Sequence, residues 1–93
     1  MTNAQISAIV SSLKVDLGIL NTTAYDTRLT KIIKSSFLMI EREGAKLNVD
    51  LPDDAQLVVM YSAWQWRRRD SGEGMPRMIR YALNNRVLSE KAQ

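Results

Sequence analysis

The segment PDDAQLVVMYSAWQWRRR, residues 52–69, decides the fold class of this chain. It opens with a proline and two carboxylates, and its middle from Leu57 to Trp64 is apolar at nearly every position. Proline is tolerated in the first turn of a helix, and the positive end of the helix dipole favours carboxylates there. The segment therefore predicts a helix over 53–69. A helix that is apolar nearly all round is usually surrounded, either by its own domain or by a partner.

Three further helices are predicted around this segment. Apolar residues recur there at three- and four-residue steps, which is the spacing of one helical face. The predicted spans are 3–16, 24–43 and 76–88, and we expect the polar tail that follows to fray. The chain is thus predicted to be all-α, a small bundle of four helices that forms a single domain over residues 1–93.

Helix ends and the core follow from the same pattern. Thr23 with Asp26 resembles a capping box, and Gly18 and Gly44 stand where the first two helices should end. The buried face of the second helix is expected to comprise Tyr25, Leu29, Ile32, Ile33, Phe37 and Ile40. The centre of the core is expected to comprise Leu29, Ile33, Phe37, Met60 and Leu83.

The composition argues against catalysis. The chain has no histidine and no cysteine, which removes the usual general base, the thiolate nucleophile and the commonest zinc ligands. Asp53 and Asp54 are neighbours, so on a helix they point about 100° apart, and helix capping is favoured over a shared acid–base site. We therefore expect no catalytic residue, no metal, no cofactor and no enzymatic activity. No apolar stretch approaches the length of a membrane helix and no signal-peptide pattern begins the chain, so we expect no membrane contact.

The positive charge is concentrated in the last third of the chain. Residues 64–93 hold seven basic and three acidic residues, a surplus of +4, whereas residues 1–63 hold six basic and seven acidic residues, a balance of −1. Such asymmetry suggests an anionic partner for the C-terminal third. The alternative is an arginine-rich helix face that is only solvated.

The run from Trp64 to Arg69 is the most informative stretch for binding. Two tryptophans two residues apart cannot share one helical face, so if Trp64 enters the core, Trp66 is turned away from it. An exposed tryptophan beside arginines is typical of a binding hot spot, and it would also suit stacking on bases or pairing with phosphates. The alternative is that both rings lie in a shallow groove and the arginines are solvated.

The last predicted helix carries a second candidate surface. Arg77, Arg80 and Asn84 fall at three- and four-residue steps and share a face. Asparagines in a helix interior are unfavourable, so the pair Asn84 and Asn85 indicates either amides bonded to something specific or a frayed helix. The candidate residues that face a partner or DNA are Trp66, Arg67, Arg68, Arg69, Arg77, Arg80 and Asn84.

Four short stretches carry a family resemblance. They are LGI at 17–19, YDTRL at 25–29, DAQLV at 54–58 with the Trp-x-x-Arg-Arg pattern that follows, and MPRMIRYALNNRV at 75–87. Their order and spacing resemble the small head–tail connector proteins of long-tailed bacteriophages, also called head-completion or adaptor proteins. The last stretch is the most similar to that family.

The resemblance implies an all-α structural subunit of the virion, made in the host bacterial cytoplasm. It implies a homo-oligomeric, dodecameric ring that docks beneath the portal protein, extends the DNA channel, and receives the next connector, a stopper or a tail protein. Contact with DNA in the channel is then expected. The alternative function is a small helical nucleic-acid-binding module with the arginines of the C-terminal third on phosphates, although no helix-turn-helix pattern is present.

Overall fold

Four helices form the described structure. The computed structural model describes residues 1–19, 22–72 and 74–92, and the side chains of residues 69–71 lie outside that description. The helices are α1 (Asn3–Leu17), α2 (Asp26–Arg42), α3 (Pro52–Ser71) and α4 (Arg77–Lys91). Since these described ranges contain no strand, the all-α prediction is confirmed.

The third helix is the centre of the bundle. It packs against α1, α2 and α4, and the residues from Leu57 to Trp64 are buried apart from the half-buried Met60. Its all-round apolar character is therefore explained by burial inside its own domain. Consequently this helix gives no support to an interface with a partner, which was the other explanation of the same pattern.

The first helix begins and ends as local sequence dictates. The Thr2 hydroxyl accepts from the Gln5 backbone N–H at 3.1 Å, and the Gln5 side-chain oxygen accepts from the Thr2 N–H at 2.8 Å. This reciprocal capping box satisfies two N–H groups that would otherwise have no partner in the helix. At the other end Gly18 adopts φ 74°, the left-handed conformation that a glycine cap supplies.

The predicted capping box at the start of the second helix is wrong. Helix α2 begins two residues later, at Asp26, with Tyr25 at the cap position and no side-chain hydrogen bond in the cap. The Asp26 carboxylate instead lies 2.6 Å from the Lys14 ammonium of α1. The Asp26 carboxylate, which the local pattern assigned to capping, thus forms an ion pair with another helix instead.

The predicted core is correct at its centre and wrong at its edges. Leu29, Ile33 and Leu83 are buried, together with a larger set that includes Leu13, Ile40 and Val58. Phe37 and Met60 are only half-buried against this core, and Tyr25 is exposed. The reason is the register of α2, whose buried positions are Leu29, Ile33, Ser36 and Ile40. That register places Phe37 and Tyr25 at the margin of the face.

The last helix is longer than predicted. It continues to Lys91, so residues 89–91, which we expected to fray, are helical. A tertiary contact explains the extension, because the Glu90 carboxylate accepts from the Lys46 backbone N–H at 2.6 Å. The segment 43–51 between α2 and α3 therefore holds the end of α4, and its own Ala45 and Leu47 are buried.

Candidate partner surface

Arg67 and Arg68, the described part of the predicted arginine run at the end of α3, contact different neighbours within the fold. The Arg67 guanidinium lies 3.4 Å from the Asp16 carbonyl oxygen and 3.8 Å from its carboxylate, at the end of α1. The Arg68 guanidinium instead lies 5.0 Å from the centre of the Trp64 ring, a cation–π distance. The Arg69 side chain lies outside the described residues. Successive arginines on the helix thus turn to different neighbours within the fold.

The two tryptophans are separated as predicted, but Trp66 is not exposed. Trp64 is buried, and its indole N–H donates to the Gly74 carbonyl at 3.1 Å. Trp66 is half-buried and meets the Tyr25 ring edge to face, with 5.5 Å between ring centres. Tyr25, the residue before α2, therefore covers part of the ring that was expected to be a bare hot spot.

Arg68 and Arg80 approach the same tyrosine from two helices. Arg80 of α4 pairs with the Glu43 carboxylate at 2.9 Å. Burial and the Glu43 charge raise the pKa of Tyr61, while the positive charges of Arg80 and Arg68 act in the opposite direction. The charges of Arg68 and Arg80 thus both act on Tyr61, whereas Arg67 faces the end of α1.

The solvent side of α4 is unexpectedly apolar. Met78, Tyr81 and Leu88 are 74%, 60% and 63% exposed, and their spacing places them on one side of the helix. The opposite side carries Ile79 and Leu83 into the core. We call the exposed side the outer face of α4, and it comprises Arg77, Met78, Tyr81, Asn84, Asn85 and Leu88.

The outer face contains two of the predicted site residues, Arg77 and Asn84, both exposed. Helix α4 is continuous through Asn84 and Asn85, so the frayed-helix explanation of this pair is wrong. Within the described part of the chain, neither amide has a hydrogen-bond partner. These amides are therefore available to a partner on the same face as the exposed apolar side chains.

Sequence reasoning missed the apolar part of this face. From the sequence, Leu83 of this helix is expected in the core, and only Arg77, Arg80 and Asn84 are expected on a candidate surface. When the core positions are set aside, the large apolar residues that remain, Met78, Tyr81 and Leu88, still share one side of the helix. This second apolar stripe is the sequence signal that could have identified the outer face. A helix with apolar residues on two opposite sides needs a second neighbour.

A buried ion pair fixes α4 from its inner side. The Arg86 Nε lies 2.7 Å and its Nη2 lies 3.3 Å from the two carboxylate oxygens of Asp54, which is 3% exposed. Asp54 also accepts from the Asn48 N–H at 2.8 Å, and Arg86 donates to the Lys46 carbonyl at 2.7 Å. The hydrogen bond to Asp54 raises the pKa of Arg86. Arg86, which follows Asn84 and Asn85, therefore has a structural role. Asp54 lies in the first turn of α3, where it complements the helix dipole, and it also holds Arg86.

Neither a metal site nor a membrane-spanning helix is found among the described residues. Within residues 1–19, 22–72 and 74–92, no group of three or more carboxylates is arranged to hold a metal ion. In the same part of the chain, no helix combines the length and the apolarity needed to cross a membrane.

Comparisons of this chain with protein-family models, with curated proteins and with solved structures found no match.

Proposed function

We propose that this chain is a non-catalytic structural subunit of a phage head–tail connector. In this proposal it assembles as a homo-oligomeric ring at the head–tail interface of the virion, docks on the portal protein, extends the DNA channel, and receives the next connector, stopper or tail protein. The observation that carries the proposal is the outer face of α4. Apart from Leu88, which follows directly, that face lies within MPRMIRYALNNRV, the stretch that most resembles the connector family.

The residue types on the outer face suit a protein interface. Aromatic residues, methionine and arginine are enriched at the centres of such interfaces, while lysine and acidic residues are depleted. Tyr81, Met78 and Arg77 are residues of the enriched types, and each is exposed. An exposed apolar stripe on a helix that already fills a core with its other side supports a binding role.

The outer face lies on a helix that is already folded onto the domain. Ile79 and Leu83 anchor the inner side of α4, and the pairs Arg86 with Asp54 and Arg80 with Glu43 join it to α3 and to the end of α2. A face that is formed before binding loses less conformational entropy on association. These contacts support docking of folded subunits.

The charge of the outer face indicates the chemistry of its partner. Arg77 contributes a positive charge there, and the acidic residue of α4, Glu90, is half-buried beside Arg86 and Lys46. We expect the partner protein to present apolar side chains with a carboxylate at the rim. The nucleic-acid alternative is less well supported, because Arg67, Arg80 and Arg86 pair with carboxylates of the chain instead of lining one groove.

Assembly can be tested with the purified chain, alone and mixed with the portal protein encoded near it. Sedimentation and electron microscopy should show rings, or a complex of portal and chain. The double change Met78→Ser and Leu88→Ser should abolish them with the helical circular dichroism retained. Leu38→Ser, an exposed apolar residue of α2, is the matched control and should leave assembly intact. A chain that stays monomeric at high concentration and ignores the portal would contradict the proposal.

A further inference from the structure

Three hydrogen-bond donors surround the sulfur of Met39 where α2 meets α3. The Gln65 amide nitrogen lies 3.4 Å from this sulfur, the Tyr61 hydroxyl 3.8 Å and the Ser35 hydroxyl 4.0 Å. A thioether is a weak acceptor, so these donors gain little from the reduced side chain. An oxygen placed on the sulfur would give them a strong acceptor at the same position.

The Tyr61 hydroxyl remains a donor at neutral pH. Its ring is buried and meets Trp64 edge to face, with 5.4 Å between ring centres. Burial, followed by the charge of Glu43, raises the pKa of Tyr61 above its ordinary value despite Arg80 and Arg68. The hydroxyl proton is therefore retained and points to Met39.

Met39 lies at the surface, where the residue is 39% exposed. Two of the donors around its sulfur, Ser35 and Gln65, line an open cleft of about 300 Å³ between α2 and α3, next to Arg28 and Lys31. Met39 is thus an exposed residue whose sulfur is faced by donors that line a cleft.

We propose that Met39 is an oxidation site, at which a peroxide converts the thioether into a sulfoxide that the folded chain holds through Gln65 and Tyr61. A sulfur lone pair attacks one oxygen of hydrogen peroxide, so an S–O bond forms as the O–O bond breaks. The leaving hydroxide takes the proton from the sulfur-bound oxygen, which yields sulfoxide and water. Sulfur is oxidised by two electrons and the peroxide is reduced. This site is independent of the proposed connector function.

The consequence is a polar link between two helices. Methionine sulfoxide usually disrupts the packing around it, because a flexible apolar side chain becomes polar. At Met39 the new oxygen belongs to α2 and its two nearest donors belong to α3. Oxidation here should therefore preserve the α2–α3 contact.

The first measurement is the rate of oxidation of the folded chain by hydrogen peroxide, followed by peptide mass spectrometry. Met1 has the same exposed fraction as Met39, 39%, and serves as an internal reference. Donors that bind the oxygen as it is transferred to the sulfur should make Met39 react about fivefold faster than Met1, the factor that one hydrogen bond contributes. Tyr61→Phe should lower that ratio, whereas Tyr81→Phe, the same change on the exposed outer face of α4, should not. Oxidation of Met39 no faster than that of Met1 would overturn the proposal.

The second measurement is urea unfolding of the reduced and oxidised forms. Gln65→Leu removes the nearest donor while keeping an apolar stem of similar size. The effect of oxidation on the unfolding equilibrium should be about fivefold more unfavourable in Gln65→Leu than in the unsubstituted chain. Met39→Leu shows how much oxidation of the other methionines changes the unfolding equilibrium. That change is subtracted from the effect of oxidation in the other variants. Equal effects of oxidation with and without Gln65 would show that the sulfoxide is not held.

Discussion

Residue types suggest binding at the end of α3 and burial on α4, whereas the structure leaves large apolar side chains exposed on the outer face of α4. The run from Trp66 to Arg69 has the residue types of a binding hot spot, yet Trp66 is half-buried and meets the Tyr25 ring, and Arg67 and Arg68 contact neighbours within the fold. The outer face of α4 belongs to a stretch whose apolar residues suggest only a core, yet Met78, Tyr81 and Leu88 are exposed. The difference teaches that residue type identifies what can bind, while the packing of neighbouring helices decides which of these residues remains accessible.

The largest effect should come from the buried pair that holds α4. Asp54→Ala leaves Arg86 without its bidentate partner and should lower the free energy of unfolding by about 3–5 kcal/mol. Asp53→Ala is the matched control, since Asp53 is exposed in the same turn, and its effect should stay within about 0.5 kcal/mol. Urea titration measures both. Equal effects at the two positions would mean that the pair does not fix the outer face of α4.

The two sides of α4 can be compared with one substitution. Leu83→Ala creates a cavity in the core and should cost about 3 kcal/mol. Leu88→Ala, the same change on the outer face, should alter the free energy of unfolding by less than about 0.5 kcal/mol while weakening assembly. Denaturant titration and sedimentation of both variants provide the comparison. If Leu88→Ala were as destabilising as Leu83→Ala, the outer face would be part of the core.

The arginine run offers a direct contrast with the outer face. Changing Arg67, Arg68 and Arg69 to Ser removes the exposed contacts of Arg67 and Arg68, each contributing at most about 1 kcal/mol. We expect the helical dichroism to persist, with a smaller loss of assembly than Met78→Ser and Leu88→Ser produce together. Counting joined particles or rings for both variants tests this. A larger loss of assembly in the arginine variant than in the Met78 and Leu88 variant would place the partner surface at the end of α3.

The smallest effect should be a pH dependence at the point where the two regions meet. Because the pKa of Tyr61 is raised in the folded chain, the unfolded chain loses this proton first as the pH rises. The contribution of Tyr61 to stability should therefore be constant below about pH 10, the ordinary tyrosine value, and fall between that value and the folded pKa. Tyr61→Phe should flatten this decline, and Tyr81→Phe serves as the control. Identical pH profiles for the two variants would contradict the assigned environment of Tyr61.

Periodicity predicted most of the helical framework. Apolar steps of three and four residues located α1, α2 and α4, because the same spacing that marks a helical face also buries it. The proline, the two carboxylates and the apolar run that follows them located α3. The spacing did not fix the register of α2 against its neighbours. Whether Phe37 or Ser36 lies at the centre of the buried face depends on a rotation that α1 and α3 impose.

Contacts between distant residues explain what the sequence could not predict. Asp54 and Arg86 are far apart along the chain, and nothing local to either one indicates that they pair. The same holds for Asp26 with Lys14, which displaced a capping box, and for Glu90, which extended α4. The outer face of α4 could have been found, since its stripe is local, but its exposure depends on which side of the helix α3 covers.

The sparse support of α4 has a dynamic consequence. This helix packs mainly on α3 and on the segment 43–51, whereas α1, α2 and α3 each contact one another. Proteins open in cooperative units, and a helix with few neighbours opens at a lower free energy than the core that remains. Backbone amides of α4 should therefore exchange with deuterium before those of α3. Since a bound partner stabilises only the closed state, the slowing of that exchange would report the strength of docking on its outer face.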